Sequence, residues 1–417
     1  MKCIATNILT PLAADKIIYL PDHYITINEG KIIEISDTEP AMDWIDKRDY
    51  LCIPGMIDAH VHLSQYYIRG RYAPDLMQWL HKYTFPAEQM SNNPQFSRKI
   101  AIDFYQQCLA KGTTTSVVYT SPYHIACETA FEVAKEMGVR SIIGMTMMDT
   151  NCPDYLRQDT DKAINESYEL WEKWHDQGLL DYIFSPRFAV TCSAELLQET
   201  GRMIRNLSAR MQTHLSENTF EIEQVMDLFP GNRSYTEIYE HFGLLGKRSI
   251  MGHGIHLDQE EMRILQASDT GIAFCPDSNF FLKSGHFKWS EIEESGIRIG
   301  LASDVGAGTD LSMLKIMKLA DYILDKSSLT PGKAFYYSTL GNAVLLGWED
   351  RIGSIEPGKD ADLVFISHPE ILKTSKGLED ILALLIYLNY EMEIQSTWIQ
   401  GKELYNKDKS GGIDEIS

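Results

Sequence analysis

Between Pro54 and about Asp350, eight short apolar runs recur, each separated from the next by a stretch of helical periodicity. They are "MIDAHVHL", "TTSVVYT", "SIIGMTMM", "YIFSPRFA", "RMQTHLSE", "SIMGHGI", "GIAFCPDS" and "IRIGLASD", with helices such as "FSRKIAIDFYQQCLAKG" between them. Parallel strands need a crossover, usually a helix, and a strand covered on both faces is apolar throughout. Eight strand–helix alternations make an α/β fold, a (β/α)₈ TIM-type barrel, the leading architecture, while periodicity leaves a doubly wound sheet open.

The flanks read differently. "CIATNILT", "HYITINEGKIIEIS" and "YLCIPGM" are strand candidates, and Glu29-Gly30 between two alternating runs signals a hairpin. Strands return beyond Gly353 in "SIEPGKDADLVFIS" and "STWIQGKELYN", with the apolar helix "LEDILALLIYLNY" between them. The expected organisation is one small composite β-sandwich domain built from both ends, residues 1–53 and 354–417, around a barrel over 54–353. The polar end "KDKSGGIDEIS" reads as frayed.

Charge narrows the partners. A formal net charge of −21 over 417 residues opposes phosphate backbones and anionic lipid, so neither nucleic acid nor a membrane surface is expected. The seven cysteines form no CxxC pair, which disfavours a zinc ribbon or a redox site and fits reduced thiols in a cytoplasm. "MKCIATNILTPLAADK" lacks a signal-peptide apolar core, and no run approaches the ~18 apolar residues of a membrane span. The reading is a soluble cytoplasmic protein.

In a barrel, functional groups gather where the strands end at the C-terminal face. The polar outliers fall there: His60 and His62 on the first strand, Arg187 on the fourth, His214 and Glu217 on the fifth, His253 on the sixth and Asp304 on the eighth. His60 and His62 are two apart in an extended run, so both imidazoles project to one side as a chelate. An unpaired polar group at such positions costs roughly 2 to 7 kcal/mol. Three imidazoles with one carboxylate suit Zn²⁺ or Fe²⁺, zinc being preferred because it has no redox chemistry and keeps a position open for water. A metal of this kind brings the pKa of water to about 7, and Glu217 is placed for general acid–base work. His253 in "GHGIH" taken alone reads as a core histidine, and Asp304 as a helix cap. His23, His81, His124, His175, His241, His256, His286 and His368 read as surface or packing residues.

These residues, in this order, resemble the amidohydrolase superfamily across almost the whole chain. Within it, "HLSQY", "WLHKYTFPAEQ", "SPRFAVTCSAEL", "THLSEN", "CPDSN" and "SDVGAGTDLSML" are similar to the motifs of the guanine deaminases. The resemblance implies one zinc held by His60, His62, His214 and Asp304, with His253 beside the attacking hydroxide. Binuclear relatives bridge two metals with a modified lysine on strand four, and "YIFSPRFA" has none there. It further implies that Gln65, Arg187, Phe188 and Glu217 bind guanine, that Glu217, His253 and Asp304 are catalytic, and that the chain forms a homodimer. The chemistry agrees: a donor-only guanidinium grips a carbonyl such as guanine O6, Gln65 offers a donor and an acceptor to the ring edge, and Phe188 packs on the flat base. Hydroxide then attacks C2, Glu217 protonates the adjacent ring nitrogen and the departing amine, and xanthine and ammonia result.

The sequence departs from the guanine deaminase pattern at Phe274, where a histidine is usual, at "VGAG" after Asp304, where a double glycine is usual, and at Ser303 for a common threonine. These changes bear on the pocket's shape. The competing readings are a related deaminase acting on a pterin, an oxidised purine or a cytosine-like ring; cyclic-amide hydrolysis of the dihydroorotase type, disfavoured by the missing bridging lysine and the presence of Glu217; and a silent scaffold, which would have lost polar strand-end residues. The HxE and PCxxC elements of the cytidine-deaminase fold are missing.

Overall fold

Every one of the eight internal runs forms a strand, and buried side chains on both faces explain why the runs are apolar. The computed structural model of the chain describes residues 1–324, 329–367 and 374–410. It falls into two units: one of Met1–Asp58, Tyr105–Thr115 and Leu311–Ser417, the other of Ala59–Phe104 and Ser116–Asp310.

In the first unit a seven-stranded sheet draws on both ends of the chain. Its strands are β1 (Lys2–Ala13), β2 (Lys16–Asn28), β3 (Lys31–Ser36) and β4 (Ile45–Pro54) from the N-terminal side. Three more come from the C-terminal side: Leu363–Ser367, Glu393–Ile399 and Lys402–Asn406. The expected hairpin joins β2 to β3 through Glu29 and Gly30, at φ 51° and 83°, the positive pair that a type I′ turn requires. Ile4, Ile25, Ile32, Leu363, Phe365 and Trp398 share one core although they come from distant strands of the sheet. Both ends of the chain thus contribute strands to one sheet with a shared core, where the sequence suggested a sandwich. "SIEPGKDADLVFIS" is a strand only in its second half, since Pro357 precedes a turn at Gly358 (φ 95°). The apolar helix is Leu378–Tyr387. The expected fraying of the C-terminal end fails at Lys407–Ser410, which form a helical turn with ion pairs from Lys407 to Glu393 (2.7 Å) and from Lys409 to Glu403 (2.8 Å) alongside. The rest of that segment, from residue 411, and His368 lie outside the described residues.

The barrel strands are β5 (Met56–His62), β6 (Thr113–Tyr119), β7 (Arg140–Gly144), the two-residue β8 (Thr146–Met147), β9 (Leu180–Pro186), β10 (Arg210–Leu215), β11 (Ser249–His253), β12 (Gly271–Phe274) and β13 (Ile299–Leu301). Their order in the sheet follows the chain, with β8 adding to β9, and the pairs from β7 onward are parallel. This is the (β/α)₈ barrel. Helices such as Ala194–Leu207 and Gln259–Ala267 fill the crossovers. The ring is drawn shut by the Asp304 N–H, which donates to the His60 carbonyl at 2.9 Å. Gly252 on β11 admits the His60 ring, because a Cβ there would sit 3.0 Å from its Cε1.

Candidate metal centre and adjoining cleft

The strands end on one cluster. His60 and His62 leave β5 side by side, His214 comes from β10, and Asp304 follows β13; their potential ligand atoms all lie within 4.8 Å of one another, with His60, His62 and Asp304 buried and His214 half-buried. Asp304 Oδ1 is 3.3 Å from the Nε2 of both His60 and His62, and His214 Nε2 is 3.2 Å from His62 Nε2. Donors 2.0–2.1 Å from a tetrahedral ion stand about 3.3 Å apart, so these separations fit a zinc-sized cation. The orientation also fits. His214 Nδ1 donates to the Arg187 carbonyl at 2.7 Å, which leaves Nε2 with a lone pair toward the cluster. Tyr119 stacks on His62 with ring centroids 4.8 Å apart and fixes its plane.

Protonation favours a ligand set. Burial pushes the His62 imidazole down to about 4 against the opposing pull of Asp304, and burial with neighbouring histidines holds His214 well below its ordinary value. Burial alone would raise Asp304, but hydrogen bonds from His60 and His62 keep it well below the usual carboxylate range. Neutral nitrogens and an ionised oxygen are what a divalent cation needs.

Glu217 and His253 stand beside the cluster. His253 Nε2 lies 3.4 Å from Glu217 Oε2 and 3.9 Å from Asp304 Oδ2, between the two carboxyl groups, while its Nδ1 is hydrogen-bonded to Asn279 Oδ1 at 2.9 Å. His253 (φ 72°) and Asp304 (φ 48°) both have left-handed backbone, rare for such residues and common where a site dictates direction. Burial, with Asp304 nearby, raises the Glu217 carboxyl to about 8, so it holds a proton at neutral pH. Its backbone is fixed by the helix Thr219–Leu228, whose Asn218–Glu221 capping box takes the Glu217 N–H onto Glu221 Oε2 at 3.0 Å.

A narrow cleft opens onto these groups. Gln65, Arg187 and Phe188 line it with Glu217, His253 and Asp304, and Leu76, Trp79 and Leu80 add an apolar wall. Gly306 lets the loop after Asp304 reach Gln65, since a Cβ would come within 2.7 Å of both the Gln65 Cβ and its carbonyl. Phe274 does not line the cleft; it is buried and stacks on Phe287 at 4.4 Å.

Sequence reasoning missed four supporting residues. Glu88, fully buried, receives Arg187 Nη1 on both carboxylate oxygens (2.8 and 2.9 Å) and the Gln65 amide Nε2 on Oε1 (2.9 Å). Ser284 donates to Glu217 Oε1 at 3.2 Å, and its carbonyl is held by His256 Nε2 at 2.8 Å. His256 thus has a supporting place beyond packing. Asn279 is the fourth, and only the quoted "CPDSN" and "KYTFPAE" stretches hinted at it and at Glu88. His175 pairs with Asp181 and is remote from the cluster.

Residues 51–404 match the amidohydrolase family. The chain is 34% identical over 406 residues to a guanine deaminase of Escherichia coli K12, covering 94% of this chain and 92% of that one. A guanine deaminase of Dictyostelium discoideum is also 34% identical, over 86% of this chain and 84% of its own. Among solved structures, the guanine deaminase of C. acetobutylicum with guanine bound in its active site superposes with a TM-score of 0.91 at 30% identity, covering 97% of this chain and all of that one.

Proposed function

The chain belongs to the amidohydrolase family, among its guanine deaminases, and from that premise we propose that it hydrolyses guanine to xanthine and ammonia with one zinc per chain. The observation that carries the reading is the convergence of Gln65, Arg187, Phe188 and Glu217 on one cleft that opens onto the His60, His62, His214 and Asp304 cluster. Zinc held by these four residues would supply hydroxide at neutral pH by lowering the pKa of water to about 7. The single ion is supported by the four-donor set and by the lack of a lysine on β9.

Within the cleft, Arg187 donates to the base carbonyl and Phe188 packs on the ring. Asp304 takes a proton from the attacking water as its oxygen bonds to C2. Glu217, protonated at neutral pH, gives its proton to the ring nitrogen beside C2. As a carboxylate it then takes the proton of the new C2 hydroxyl and passes it to the amine, the C–N bond breaks, and ammonia leaves. His253, between the two carboxyl groups, returns the proton on Asp304 to Glu217 and closes the cycle.

The family resemblance supports a homodimer. The net charge of −21 speaks against nucleic acid as partner, and seven cysteines with no CxxC pair suit a cytoplasm. No helix among the described residues is long and apolar enough to cross a membrane. The test is product analysis with zinc-loaded protein and guanine, adenine, pterin and cytosine in parallel. Equimolar xanthine and ammonia from guanine alone is the expected result; ammonia from another ring with guanine inert would replace the substrate.

A further inference from the structure

We propose that Glu88 is a specificity-determining positioning residue, which sets the direction of the Gln65 amide and the Arg187 guanidinium so that the cleft accepts a lactam edge. The inference rests on the guanine deaminase reading above and concerns how its cleft chooses a base.

Glu88 lies on the helix Phe85–Met90 with no exposure, and its carboxylate meets two residues far away in the chain. A carboxylate only accepts, so the Gln65 group facing it must be the N–H₂, as the 2.9 Å bond from Nε2 shows. Gln65 Oε1 is thereby left to the cleft as an acceptor. The same carboxylate engages Arg187 through Nη1 alone, which leaves the other guanidinium N–H groups as donors to the cleft. Phe85 packs against the guanidinium with its ring centre 5.6 Å from Cζ and helps to hold that plane. An acceptor beside a donor complements a ring N–H beside a carbonyl, the edge guanine presents at N1 and C6. It opposes a ring nitrogen beside an amino group, the edge of 2,6-diaminopurine, a base of nearly the same size and shape.

Both bases carry the same 2-amino group, so their ratio isolates the recognised edge from the chemistry. Sites built to hydrogen-bond reject a reversed pattern by about 10⁴-fold. In Glu88→Gln the new amide can donate as well as accept, so Gln65 is free to turn its own amide and meet either edge. The experiment measures KM and kcat for guanine and 2,6-diaminopurine, with tryptophan-fluorescence binding of both bases to the Glu217→Gln protein and to Glu88→Gln/Glu217→Gln. The expected result is a guanine preference on the order of 10³ to 10⁴ in the unmodified protein, at least tenfold narrower with Glu88→Gln in both turnover and binding, with KM changing more than kcat. An unchanged ratio in a folded Glu88→Gln protein would overturn the proposal. Should that variant not fold, Gln65→Met decides: it removes the oriented acceptor and keeps the Glu88–Arg187 pair, so an unaltered preference would overturn the proposal and a narrowed one supports it. Failure of the unmodified protein to release xanthine from guanine counts against the function itself, while the binding ratio still reports on Glu88.

Discussion

On the proposed reading, Glu217 carries both chemistry and cost. Its carboxyl is raised by burial to about 8, well above its value in an unfolded chain. A folded-state pKa above the unfolded one contributes stability that is complete below about 4.5 and is lost as pH rises through about 8. Glu217→Gln in metal-free protein should therefore raise the unfolding temperature at pH 9 and leave it nearly unchanged at pH 5, a difference worth on the order of 3–5 kcal/mol. The same substitution should cut kcat by roughly 10²- to 10⁴-fold, as the loss of a general acid does, while the unmodified protein loses turnover above about pH 8. Equal thermal curves at both pH values would show that the group is not held neutral. Most of these residues were legible as polar outliers at the ends of apolar runs. Glu88, Asn279 and Ser284 were not, because their partners stand 99, 26 and 67 positions away and only the closed barrel brings them together.

Short elements place these groups. Glu217 follows β10 and directly precedes an N-cap, so the direction of its side chain depends on how the helix Thr219–Leu228 begins. Asn218→Ala removes the cap bond to Phe220 and half of the capping box, at a cost of about 1 kcal/mol. The expected signature is a lower kcat with KM for guanine little changed, since Gln65 and Arg187 stay in place; a rise confined to KM would mean that the cap serves binding. The helical stretch from Leu76 to Met90 has a comparable double role, placing Leu76, Trp79 and Leu80 on the cleft wall and Glu88 beneath Arg187. Its placement was hidden in the sequence, where "WLHKYTFPAEQ" stood only as a stretch similar to a family motif. The eight strands were legible because burial on both faces leaves a plain apolar signal. The second half of "SIEPGKDADLVFIS" was a strand and the first half was not, since Pro357 and the turn at Gly358 outweigh alternation. Lys407–Ser410 form a helical turn where composition alone reads as loose, with exposed ion pairs to Glu393 and Glu403 alongside.

For the whole chain, the barrel gathers its donors from β5, β10 and the segment after β13 onto one point. On the proposed reading, that gathering means four donors, one ion, and turnover that depends on it. The decisive measurement is a zinc titration of chelator-stripped protein, following xanthine formation from guanine and bound metal in the same samples. Turnover should be absent at the start, rise linearly and stop rising at one equivalent per chain, with no such rise in His214→Ala. Full turnover in stripped protein, or a break at two equivalents, would mean that the cluster of His60, His62, His214 and Asp304 has been given the wrong role.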